Sequence, residues 1–87
     1  MTNNNKIQLT QNALKKINDE KRDLRIVVEA TFDFIVKEEK SENKRMDEHA
    51  LAQLRGLIKG YDTAFSNLEV LEEALKLHLK DLKGEGK

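Results

Sequence analysis

The stretch LRIVVEATFDFIV, residues 24–36, decides the fold, because two readings compete in it. Leu24, Ile26, Val28, Ala30, Phe32, Phe34 and Val36 alternate with mostly polar neighbours, and β-branched residues are dense. Taken alone, this is the period of a half-buried strand. No other part of the chain reads as a strand to pair with it, and a two-stranded sheet between two copies is marginal by itself. A second pattern runs through the same residues. Leu14, Ile17, Leu24, Val28, Thr31 and Ile35 recur at spacings of three, four and seven, with Lys21 interrupting the stripe. That is a helix seam near the period of a coiled coil, and its length favours the helix.

Working outward, Thr10 reads as an N-cap, which leaves residues 1–9 as a frayed N-terminus. Lys15–Asp19, Lys16–Glu20, Arg25–Glu29 and Asp33–Lys37 set opposite charges one turn apart, each worth a few tenths of a kcal/mol in a helix. No Gly or Pro occurs before Gly56. The apolar-free run KSENKRM, residues 40–46 apart from its terminal Met, is the predicted loop, and Asp47 and Glu48 then supply negative charge for a helix N-terminus. The seam resumes as Leu51, Leu54, Leu57, Ile58, Tyr61, Phe65, Leu68, Leu71, Leu75, Leu79 and Leu82. Gly84 follows a basic last turn and fits a helix stop, with 84–87 as a flexible tail. Gly56 and Gly60 weaken the second helix, so a break near Gly60 is an alternative to one continuous helix. The continuous periodicity favours one.

The expected fold is therefore all-α: an antiparallel two-helix hairpin over residues 10–83. Folding about residue 43 would set Ala30 against Gly56 and Ile26 against Gly60, with the glycines admitting the bulky stretch. Apolar side chains surround more of residues 24–36 than one partner helix can cover. The surplus points to a homodimer forming a four-helix bundle. Size argues the same way, since a chain of 87 residues with 38% hydrophobic content has a thin stability margin alone.

Composition removes most chemistry. The 16 basic and 16 acidic residues balance to zero net charge, and cysteine, proline and tryptophan are absent. That excludes a disulfide scaffold, a thiolate metal site and a thiol nucleophile. No run is apolar enough for a membrane span, and MTNNNK has no secretory h-region, so a cytoplasmic location is expected. His49 and His78 lack the i, i+3 or i, i+4 ligand partners of a helical metal site. Ser41 and Ser66 have no nearby His in sequence, and no Gly-rich phosphate loop occurs. No enzyme, cofactor or small-molecule substrate is expected.

Residues 6–17, KIQLTQNALKKI, resemble the opening strand and helix of A-type iron–sulfur carriers, but that family implies ligand cysteines, which this chain lacks. The length and two-helix layout resemble secretion substrates of the WXG class, whose defining turn needs a tryptophan. No family is assigned on either.

Two functions remain. The first is a non-enzymatic protein–protein interaction module whose oligomer or partner surface uses Ile26, Phe32, Phe34, Val36, Tyr61 and Phe65, since aromatics concentrate in binding hot spots. Twelve lysines against four arginines and an asparagine-rich start fit an AT-rich genome, as in phage or mobile-element accessory proteins that bind or inhibit a host protein. The second is a DNA-associated regulator with a degenerate helix-turn-helix. Its contacts would be Lys15, Lys16, Lys21, Arg22, Arg25, Lys44 and Arg45, although a pI near 6.7 is unlike the unbalanced basic face of a nucleic-acid domain.

Overall fold

The computed structural model describes residues 3–84. Two helices, α1 (Asn3–Lys40) and α2 (Glu48–Lys83), pack against each other as an antiparallel hairpin joined by residues 41–47. A 38-residue helix spans about 57 Å, which accounts for a rod of 62 × 17 × 17 Å. The radius of gyration is 19.2 Å, against about 12 Å for a compact domain of this length. Residues 24–36 are helical throughout, so the longer period prevails over the alternation.

One periodicity organises both helices. The buried and half-buried residues of α1 include Ile7, Thr10, Leu14, Ile17, Lys21, Leu24, Val28, Thr31, Ile35 and Glu38, in strictly alternating steps of three and four. On α2 the same rule selects Leu51, Leu54, Ile58, Tyr61, Phe65, Leu68, Glu72, Leu75, Leu79 and Leu82. Steps of three and four average 3.5 residues, which keeps one stripe of each helix facing the other along the whole rod. A single seam between two helices cannot enclose its residues. Among the described residues only Ile17, Ile35 and Leu51 are fully buried hydrophobics.

The start of the fold differs from the sequence reading. Residues 3–9 are helical, and Thr10 lies inside α1 at a buried seam position, not at an N-cap. Its hydroxyl donates to the Lys6 carbonyl oxygen at 2.8 Å, which satisfies the polar group within its own helix. Ile7 carries the seam one step further, so packing extends the helix past a residue whose propensity favours a cap. Residues 1–2 and 85–87, the outer parts of the expected frayed end and tail, lie outside the described residues.

The other ends form as the residue types dictate. Asp47 caps α2, its side chain accepting from the Ala50 N–H at 2.8 Å. Gly84 closes α2 in the left-handed region, at φ 75°, with its N–H directed to the Asp81 and Lys80 carbonyls. α2 runs unbroken through Gly60.

The glycines do not receive α1. Gly56 and Gly60 are exposed, and a Cβ built on either meets nothing within 4 Å. Ala30 and Ile26 are likewise exposed. All four fall outside the seam on the outer faces, so the expected small-against-large docking does not occur. The seam phase, not side-chain size, decides which residues meet.

The loop closes without Gly or Pro because Glu38 gathers it. This carboxylate, 3% exposed, accepts from the Arg45 backbone N–H and from its guanidinium, each at 2.8 Å. A second guanidinium nitrogen lies 2.7 Å away, and the Arg45 guanidinium also stacks over Phe34 at 5.6 Å. The hydrogen bond from the Arg45 backbone N–H foremost, then the one from its guanidinium, holds the Glu38 carboxyl below the usual range for glutamate. Around it, the Ser41 hydroxyl accepts from the Asn43 N–H.

Candidate functional site

With both seams occupied by the partner helix, the hairpin can meet other molecules through its two flanks and its outer faces. The flanks differ in chemistry. On one, Phe32, Val36 and Ile58 are interleaved with Glu39, Arg55 and Lys59. Further along the same flank lie Asn18, Arg22, Arg25 and Glu69 beside the half-buried Phe65. Arg55 and Glu39 form an ion pair across the helices there. Arg25 and Lys21 place their charges over the Phe65 ring at 5.5 and 5.2 Å, a geometry of cation–π attraction.

The opposite flank is apolar along most of its length. Its centre is a concavity formed by Val27 and Leu24 of α1 with Ala64 and Leu68 of α2, rimmed by Glu20, Asp23 and Asn67. Positions seven residues apart lie in line on a heptad-spaced helix. The line through Val27 contains Ala13, Glu20 and Phe34; the line through Ala64 contains Ala50, Leu57, Leu71 and His78. Ala13, Phe34, Ala50 and Ala64 are half-buried, while Leu57 and Leu71 are 56% and 47% exposed.

The six residues read from the sequence as an interface do not converge. Tyr61 and Phe65 belong to the seam, against Leu24 and Val28. Phe32 and Val36 stand on the charged flank, Phe34 lies beneath Arg45 on the apolar flank, and Ile26 projects from the outer face. The sequence reading set Leu57 and Leu71 in the α2 seam, but they are 56% and 47% exposed on the flank beside it, and that reading passed over Ala64 on α2 and Val27 on α1. The signal was present: a second apolar line at seven-residue spacing beside each seam.

The basic residues are largely engaged within the chain. Lys21 Nζ lies 3.3 Å from Glu72 Oε1 inside the seam and 3.9 Å from Glu69 at its charged edge. Arg22 meets Asp19 and Asp23, Lys44 meets Glu48 at 3.0 Å, and Arg45 is held by Glu38. Lys15 and Lys16 are exposed. None of the four opposite-charge pairs expected along α1 closes into an ion pair. The described residues contain no group of His, Cys, Asp or Glu that could hold a metal ion, and no helix long and apolar enough to cross a membrane.

The fold and surface define an antiparallel helical hairpin with heptad-spaced seams, one charged flank and one apolar flank. No family model, no curated protein and no solved structure matches the chain.

Proposed function

We propose that the protein is a non-enzymatic protein–protein interaction module that works as a self-associated helical hairpin. One observation carries the reading: large apolar side chains remain exposed along one flank of a chain this small, Val27 at 41%, Leu57 at 56% and Leu71 at 47%. Exposed apolar surface that forms a contiguous patch marks a site of association. The zero net charge and the internal pairing of Lys21, Arg22, Lys44 and Arg45 favour a protein partner over a nucleic acid.

Affinity capture from lysate of the source cell, with and without nuclease, tests this. One protein recovered stoichiometrically in both arms is expected, unchanged when Lys15, Lys16, Arg22 and Arg25 are all replaced by Ala. Recovery that requires nucleic acid, or that the four substitutions abolish, would refute the reading and favour the DNA-associated alternative.

A further inference from the structure

We infer that the apolar flank is covered by a second copy of this chain, with Val27, Phe34, Leu57, Ala64 and Leu71 of each hairpin meeting those of the other across a two-fold axis. The inference rests on the self-association proposed above and specifies its face. It places that face away from Phe32 and Ile26.

Three observations select this flank and this occupant. First, burial outside the seams is uneven. Ala64 is half-buried where the flank is concave, beside Val27, and Leu57 and Leu71, seven residues to either side of it on α2, face solvent. A concave strip edged by leucines is a groove lacking its filler. The opposite flank also carries the exposed Phe32 and the half-buried Val36, but there Glu39 and Arg55 bridge the two helices with an ion pair.

Second, the elongated chain has surface to spare for a dimer. The chain exposes 6691 Å², whereas a compact monomer of 10.0 kDa exposes about 5,200 Å². The excess of about 1,500 Å² exceeds the roughly 800 Å² that each partner contributes to a standard interface. A second hairpin brings two helices and the same strip, so both strips are covered at once, as closed two-fold association requires. Four helices then share a core, which a single seam does not provide.

Third, polar groups border the apolar centre of the flank, Glu20 within the α1 line itself and Asp23 and Asn67 beside it. The floor of the central concavity is Leu24, Val27, Ala64 and Leu68. An apolar centre with a polar border is the usual anatomy of a protein interface.

The test is sedimentation equilibrium on the full chain over a wide concentration range, with far-UV circular dichroism on the same samples. The wild type is expected at twice 10.0 kDa. The double variant Leu57→Lys/Leu71→Lys is expected to weaken the dimer on the order of 100-fold or more. Phe32→Lys on the charged flank is expected to leave it intact. Ala64→Cys guards against a variant that merely unfolds, because the native chain has no cysteine. Ala64 lies near the middle of α2 and meets its own copy when the two-fold axis runs across the rods and sets α2 against α2. Mild oxidation should give a covalent, fully helical dimer, and faster than for Thr63→Cys on the outer face.

A wild type that remains monomeric at every concentration would overturn both self-association and this face. A dimer broken by Phe32→Lys and not by Leu57→Lys/Leu71→Lys would overturn the face alone. A monomer that captures a different protein through Leu57 and Leu71 would overturn the second copy as the occupant.

Discussion

Replacing Lys21 and Glu72 by methionine, singly and together, tests whether a charged pair inside the seam holds the hairpin in one alignment. The side chains are 18% and 15% exposed, and their 3.3 Å contact lies between the helices. At an effective dielectric of about 20, that separation corresponds to a gross attraction of about 5 kcal/mol, most of it offset by desolvation. Each single variant leaves the other charge with a weaker partner. Lys21 would retain Glu69 at 3.9 Å, and Glu72 would retain Lys76 at 3.9 Å. Because these partners and some water remain, the loss falls below the 3–5 kcal/mol of a fully buried broken pair, at about 1 kcal/mol for each variant. The double variant removes both charges and adds apolar volume, so its stability should return to about that of the wild type. The coupling energy is then about 2 kcal/mol.

Urea unfolding followed by the helical circular-dichroism signal, at one fixed protein concentration, measures all four proteins. With a slope of about 1 kcal/mol per molar, each single variant should shift the midpoint down by about 1 M, and the double variant by little. If the effects of the single variants simply add in the double, the two side chains do not interact and the seam assignment of Lys21 is wrong. The pair also sets register. Sliding one helix by seven residues would place Phe65 or Leu79 where Glu72 now meets Lys21, leaving both charges without their partner.

Leu51→Ala should cost about 2–4 kcal/mol, since Leu51 is completely buried beside the loop, and lower the melting temperature by roughly 10 °C or more. A loss below about 1 kcal/mol in thermal unfolding would contradict that burial. Gly56→Ala and Gly60→Ala should each stabilise the protein by up to about 1 kcal/mol, because both sites are helical and open; a destabilised variant would mean that a second chain packs against the glycine. Gly84→Ala should destabilise by about 1 kcal/mol through its left-handed backbone. The Glu38 carboxyl has its folded pKa below the unfolded value, so its contribution is present above the usual glutamate range and is lost as pH falls through the lowered value. Acid titration of the folded fraction should therefore show weaker pH dependence in Glu38→Gln, and an unchanged profile would show that Arg45 does not hold the carboxylate.

The seam was legible because a heptad repeat is a property of one helix at a time: Leu14, Ile17, Leu24, Val28 and Ile35 mark it without reference to a partner. Asp47 and Gly84 were legible for the same reason, as both act through adjacent backbone. Glu38 was not. Its burial depends on Arg45 folding back across the loop, and in sequence it is one charge among Lys37, Glu39 and Lys40.

Sequence alone thus determined the helical period, the position of the turn and the residues that end α2. Each is fixed by interactions spanning at most a few residues. Only the tertiary structure decided that Thr10 lies inside the helix, that Lys21 belongs with Glu72, that Gly56 and Gly60 face outward, and that the apolar surplus divides into a charged flank and an apolar one. These outcomes depend on the phase of one seam against the other. That phase is set by packing along the full length of two helices, so no local run of residues displays it.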